Sequence, residues 1–117
     1  MVEVEFPRVF LLKNKLGVGV GTSESSVYTV PSSTTTTVIG LSVANVTGSN
    51  ITVDIRVYDS SANSHAYIVK TADVFTGGTL VAVGGDQKLV LETGDIIKVV
   101  ASASSSTDVI VSYMEQT

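Results

Sequence analysis

Ile51-Thr-Val-Asp-Ile-Arg-Val-Tyr58 carries the clearest pattern in the chain. Ile51, Val53, Ile55 and Val57 fall on one side of an extended backbone, and Thr52, Asp54, Arg56 and Tyr58 fall on the other. A helix would scatter these side chains round its circumference; a strand sorts them into a core face and a wet face. That sorting is the mark of an antiparallel sheet packed on one side only. Turn chemistry bounds it at both ends, Asn45-Val-Thr-Gly-Ser-Asn50 before and Asp59-Ser-Ser-Ala-Asn-Ser64 after.

The same reading extends upstream. Thr34 to Asn45 is a long β-branched strand in which Ile39, Leu41 and Val43 share one face. Opposite them lie Val38, Gly40, Ser42 and Ala44, small enough for a neighbour to lie close. Val27 to Val30 is a strand ended by Pro31-Ser-Ser33. Leu16-Gly-Val-Gly-Val-Gly21 has the glycines of a phosphate loop but neither a following helical period nor a Gly-Lys-Ser/Thr ending. It reads as a Gly-rich strand whose flat surface admits another backbone. Before it, Val2, Val4 and Phe6 alternate with Glu3 and Glu5 up to Pro7. Val9-Phe-Leu-Leu12 is a second apolar piece, and Lys13-Asn-Lys15 reads as a polar turn. Residues 1–15 are thus either an N-terminal arm that docks on a neighbour or the first hairpin, with the β-sandwich domain at 16–117. An arm removed at Lys15 would leave a folded sandwich.

Downstream, His65 to Lys70 is a strand. Thr71 to Gly78 is an irregular connection in which Asp73 and Val74 offer the one place for a single helical turn. Thr79 to Val83 leads into Val83-Gly-Gly-Asp-Gln-Lys-Leu-Val-Leu-Glu-Thr-Gly-Asp-Ile-Ile-Lys-Val99. Two turns, at Gly84-Gly85 and Gly94-Asp95, frame the short strand Leu89 to Leu91 and launch the strand Ile96 to Ser102. Asp86 and Asp95 are turn-makers, and Leu89, Leu91, Ile97 and Val99 are core candidates. After the Ser104-Ser-Ser-Thr107 turn, Asp108 to Glu115 is apolar on both faces, so it should be central or covered on both sides. Strand signals every 8–12 residues or so predict an all-β fold. We expect an antiparallel β-sandwich, jelly-roll-like, of about eight strands with little or no helix.

Composition narrows the function classes. A chain of 117 residues is one domain. Only 15% of it is charged, against roughly 25% in an average soluble domain. A surface so poor in charge points to burial against neighbours, hence to a homo-oligomer or larger assembly. The net charge is −4 and the seven Lys and Arg are scattered, so no clustered cations meet a phosphate backbone and no direct nucleic-acid partner is expected. Without Cys there is no disulfide framework or zinc-thiolate site. The apolar runs fall far short of the ~18 residues of a spanning helix, and the acidic start differs from a secretory leader. Neither a membrane span nor an export signal is expected.

Candidate chemistry gives way to structural readings. A catalytic triad would need a base, and the one His, His65, stands at a strand start with nothing but abundant Ser to suggest it. Asp59, Ser61 and Asn63 have the spacing of a calcium loop, but Ser64 and Lys70 stand where that loop needs Gly and Glu. Asp86, Glu92 and Asp95 are explained by turns. The sequons at Asn45 and Asn50 read as turn residues. Arg56 and Tyr58 on the wet face are the remaining ligand or interface contacts, beside Val2, Val4, Phe6, Phe10, Leu11 and Leu12 of the N-terminal segment. No catalytic residue, metal or cofactor is expected.

The chain resembles small β-sandwich proteins of tailed bacteriophages, especially those of marine and cyanobacterial hosts. The resemblance lies in Val20-Gly-Thr22, Val27-Tyr-Thr-Val-Pro-Ser32, Thr34-Thr-Thr-Thr-Val-Ile-Gly-Leu41 and Ala44-Asn-Val-Thr-Gly-Ser-Asn50. It continues through Ile51-Thr-Val-Asp54, the block from Val83 to Asp95, and Asp108-Val-Ile-Val-Ser-Tyr-Met-Glu115. It implies a non-enzymatic virion structural protein, assembled in the host cytoplasm. The first expectation is a head-decoration (cement) protein that bridges major-capsid subunits, trimeric like others of that kind. A neck, collar or tail component, or a carbohydrate- or receptor-binding module, is the alternative.

Overall fold

A computed structural model describes residues 9–117, and its nine strands build two antiparallel sheets. In chain order they are β1 (Phe10–Val20), β2 (Ser25–Thr29), β3 (Thr35–Asn45), β4 (Ile51–Asp59), β5 (Ser64–Val74), β6 (Thr79–Val83), β7 (Leu89–Leu91), β8 (Ile96–Ala101) and β9 (Thr107–Gln116). One sheet runs β1-β9-β3-β6, with β7 sharing the β6 edge of β3; the other runs β2-β8-β4-β5. The expected sandwich is present, with nine strands in place of about eight.

Each sheet buries one face. Ile51, Val53 and Ile55 of β4, Ile97 and Val99 of β8, and Val27 of β2 meet Val38, Leu41 and Val43 of β3, Leu91 of β7, and Val109 and Val111 of β9. Leu91, Ile97 and Val99 take the core positions expected of them, and Leu89 packs half-buried against the same cluster. Asp95 is a turn-maker and more. Its Oδ2 accepts the Glu92 N–H at 2.9 Å while its Oδ1 accepts the Ser60 N–H at 3.0 Å, so one buried carboxylate ties the β7–β8 turn to the β4–β5 hairpin. Asp86 lies in the turn closed by Gln87 N–H donating to the Gly84 carbonyl at 3.2 Å.

Three local expectations are corrected. Lys13-Asn-Lys15 is not a turn: β1 runs through it, paired residue for residue with β9 from Phe10↔Gln116 to Gly17↔Val109. The 15/16 boundary therefore falls inside a strand, because β9 offers a continuous ladder that outweighs the polarity of three side chains. Asp73 and Val74 form no helical turn; they extend β5, pairing with Thr52 and Ile51. In β3 the register shifts between Val38 and Gly40. A bulge inserts one residue and reverses the alternation beyond it. Hence Val38, Leu41 and Val43 face the core, while Ile39, expected there, is 39% exposed.

The Gly-rich end of β1 does admit another backbone. A Cβ on Gly21 would stand 3.0 Å from the Ser105 nitrogen, and Gly19 turns a bulge at φ +66°. At the other end, Glu115 is 6% exposed and accepts Lys13 Nζ at 2.8 Å and the Tyr28 hydroxyl at 2.6 Å. These two donors hold the Glu115 carboxyl below the usual range. The Tyr28 phenol is pushed up by burial and then by Glu115. Glu24 is lowered by the Arg56 guanidinium, and Asp54 by the Thr71 N–H and then Lys70.

The sign of the linkage follows. A carboxylate depressed in the folded state stabilises it fully above the unfolded value, roughly pH 4, and that contribution is lost as pH falls toward the folded value. The urea midpoint should therefore be level between about pH 5 and 8 and fall below about pH 4, with a shallower fall in Glu115→Gln. A wild-type midpoint unchanged from pH 7 to 3 would contradict this.

Candidate assembly surface

The two outward faces of the sandwich differ in kind. On the β1-β9-β3-β6 sheet, the pairs Phe10↔Gln116, Leu12↔Met114, Asn14↔Ser112 and Leu16↔Ile110 point away from the core. The rows continue through Thr37, Gly40, Ser42 and Ala44 of β3 to Val90 of β7 and Val81 of β6. Leu12 is 76% exposed, Val81 65%, Val90 64% and Ile110 48%. Among the described residues Asp108 is the one ionisable side chain on these rows. It stands at the margin, and its carboxylate accepts the Gly19 N–H at 2.9 Å. Apolar side chains share these rows with the small or polar Asn14, Ser112, Thr37, Gly40 and Ser42, and a face of this kind is a candidate association surface.

The outward face of β2-β8-β4-β5 is a network of charges satisfied within the chain. Arg56 grips Glu24 in a fork, Nε at 2.7 Å and Nη2 at 2.9 Å, and Lys98 lies 3.9 Å from the same carboxylate. The Tyr58 ring packs against His65 at 4.9 Å, lies beneath Lys98, and donates its hydroxyl to Asn63 at 2.9 Å. Desolvation, then Arg56 and Lys98, lower the His65 pKa and favour its neutral form; the polar contact of its ring is Lys98 Nζ at 3.4 Å. Asp59 Oδ1 accepts the Ser61 and Ala62 N–H groups, capping its own turn. The Asn45 side chain is buried and donates to the Ser49 and Val74 carbonyls, as a turn residue would.

The contact residues expected from sequence are therefore divided. Phe10 and Leu12 lie on the apolar face, whereas Leu11 points to the other side of β1, opposite Glu115. Arg56 and Tyr58 belong to the charged face of the second sheet. Val2, Val4 and Phe6 lie outside the described residues. Sequence reasoning missed Leu16, Val81, Val90, Ile110 and Met114 as one surface. The signal was there in β9, whose two apolar faces require a cover on each side, and in the small residues of β3.

Three of the sheet edges, β1, β2 and β5, are less suited to strand addition. Lys13 and Lys15 on the edge strand β1 point to its inner side, β2 has five residues and a bulge, and β5 carries register shifts and Lys70. These are devices that discourage strand addition. Fold and surface together define a β-sandwich with one apolar outer face and one charge-paired face.

No family model and no curated protein matches the chain. Among solved structures it is similar to a chain of the Bacillus endospore appendages, which form a family of disulfide-linked pili. The TM-score is 0.61 at 14% identity, over 100% of this chain and 96% of that one. At that identity the likeness is one of fold. With no Cys in this chain, disulfide linkage has no counterpart here.

Proposed function

We propose that this protein is a non-enzymatic structural subunit of a tailed-phage virion, a head-decoration protein that bridges major-capsid subunits. The observation that carries an assembly role is the apolar outer face of the β1-β9-β3-β6 sheet, more extensive than scattered surface hydrophobics would be. The pilus chain supports it as a precedent for the same fold in an assembly. The phage setting rests on the resemblance in the blocks from Val20 to Glu115. Self-association accompanies the role, with the trimer as the form that resemblance implies.

Quantitative mass spectrometry of purified particles tests the location. A decoration protein is present in numbers comparable to the capsid protein, whereas a handful of copies per particle would place it in the neck, collar or tail. A shortened chain lacking Met1 to Arg8 should fold, since the β1–β9 ladder begins at Phe10, and should bind expanded capsids less well than the full chain. Cutting at Lys15 is the poorer test, because it removes half of β1 and the Lys13 partner of Glu115. Undiminished capsid binding by the shortened chain would sink the docking role of the arm.

A further inference from the structure

We propose that two copies of this chain join edge to edge, β1 and the residues before it pairing antiparallel with their twins about a two-fold axis at Val9. This deepens the assembly reading above and rests on it. A charge pattern matched to a free edge carries the inference. Among the described residues no strand pairs with the outer edge of β1. Lys13 and Lys15 share one side of that strand. Lys13 reaches Glu115, and Lys15 makes no ion pair within the described residues. Upstream, Glu3 and Glu5 have the same spacing; Glu3 and Lys15 are equidistant from Val9, and so are Glu5 and Lys13. An antiparallel pair centred on Val9 therefore sets each Glu of one copy opposite a Lys of the other, reciprocally, as an isologous contact requires. A slip of two residues either way keeps only one of the two kinds of pair, and a slip of one sets the lysines opposite apolar residues. Edge lysines discourage an unselected strand, but they attract one that brings carboxylates to the same side.

The backbone agrees with this register. Thr117 N–H donates to the Val9 carbonyl at 3.1 Å, and the β1–β9 pairing runs unbroken from Phe10↔Gln116 to Gly17↔Val109. Bonded positions alternate along an antiparallel ladder, so the odd-numbered residues turn their N–H and C=O groups to β9, while Phe10, Leu12, Asn14 and Leu16 turn theirs outward. The centred register offers these groups to Arg8, Phe6, Val4 and Val2 of the twin. Pro7 falls at an odd position, where no N–H is asked of it. The Glu–Lys pairs fall at non-hydrogen-bonded positions, where opposed side chains stand closest. Phe6 and Val2 then lie beside Leu12 and Leu16, which are 76% and 57% exposed. Glu3 and Glu5 enter on the other side, over a groove of about 420 Å³ lined by Lys13, Lys15, Tyr28 and Tyr113 among others. One chain cannot make this pairing with itself: doubling back from Leu12 to Phe6 needs Val9 and Phe10 in a turn, and both are held to β9 and the residue after it. A parallel arrangement would also set the acids against the lysines, but it engages one N-terminal segment per contact where the two-fold engages both.

Sedimentation equilibrium on the full chain, from micromolar to near-millimolar, should give a reversible dimer. Val4→Pro removes a ladder N–H, and Lys15→Glu sets carboxylate against carboxylate; each should raise the dissociation constant about tenfold or more. Adding Glu3→Lys to Lys15→Glu should restore the wild-type value. The chain has no Cys, so Val9→Cys places a single thiol of each copy at the axis, at a Cα spacing of about 4.5 Å that a disulfide can span. It should cross-link to a covalent dimer under mild oxidation, whereas Val18→Cys, at a position 78% exposed but far from the axis, should not. Circular dichroism melts of the diluted variants confirm that each is folded, and the wild-type measurement stands without them. A monomer throughout the range overturns the proposal, as does a trimer or the open-ended series that parallel pairing would produce. So does a dimer indifferent to Val4→Pro and Lys15→Glu, a Lys15→Glu defect that Glu3→Lys fails to rescue, or a Val9→Cys chain that cross-links no faster than Val18→Cys. Capsid binding and copy number are read on particles, so a monomer that still decorates them overturns the pairing and leaves the virion role standing.

Discussion

Leu41→Ala should lower the unfolding free energy by about 2–5 kcal/mol, whereas Ile39→Ala, two residues away, should change it by no more than about 0.5–1 kcal/mol. Leu41 is 1% exposed in the middle of the sandwich. Truncating it loses the transfer energy of the removed atoms and leaves a cavity that the flanking strands β6 and β9 restrict from closing. Ile39 sits in the β3 bulge with its side chain toward solvent, and its truncation opens no void. Simple alternation along Thr34 to Asn45 assigns both isoleucine and leucine to the core, so the pair of variants reads the bulge directly. Urea titrations at a concentration low enough to keep the chain monomeric give the two values. Equal losses would mean that Ile39 is inside and the alternation unbroken.

The second large effect belongs to Asp95. Its two oxygens accept the Glu92 and Ser60 N–H groups, and Oδ1 also accepts the Ser60 hydroxyl at 3.2 Å. Asp95→Ala leaves two backbone donors without these partners in a half-buried place. Each orphaned donor costs about 1–3 kcal/mol, so a combined loss of about 2–6 kcal/mol is expected, toward the lower end where the donors are half-buried. Asp95→Asn should recover only part of it, because an amide keeps one accepting oxygen and turns an NH₂ toward the other donor. Hydrogen exchange should show the loss locally, with the Ser60 and Glu92 amides deprotected first. A variant within about 0.5 kcal/mol of the wild type would show that water replaces the carboxylate and that the tie between the two turns is dispensable.

The first effect bears on the proposed assembly role. The outer face is held flat by the same β3 and β9 strands whose other sides fill the core. A core that shifts to close a cavity under Leu41 therefore changes the relief above Gly40 and Ser42. In the proposed assembly role the surface that meets neighbours is shaped from beneath, and here that support is apolar packing.

Most of the architecture was legible one strand at a time. Ile51 to Tyr58 announced a half-buried strand, the Gly84-Gly85 and Gly94-Asp95 turns placed β7 and β8, and the glycines from Gly17 to Gly21 announced a close backbone approach. The misreadings have a shared cause. Lys13 to Lys15 and Asp73-Val74 are locally ambiguous, and their strand state comes from β9 and β4 beside them, partners distant in sequence. Ile39 was misplaced because a bulge is an agreement between two strands about register, and one strand's alternation does not record it.

The surface was legible in fragments only. The shortage of charge, the two apolar faces of β9 and the small residues of β3 each asked for a neighbour, but nothing local says that they belong to one face. Alternation along the chain determined which side chains are apolar and which of them share a side of their own strand. Strand order and register, set by hydrogen bonds between segments up to a chain length apart, decided that Phe10, Leu12, Leu16, Ile110, Val81 and Val90 stand together, and that Arg56 and Tyr58 lie on the opposite face of the molecule.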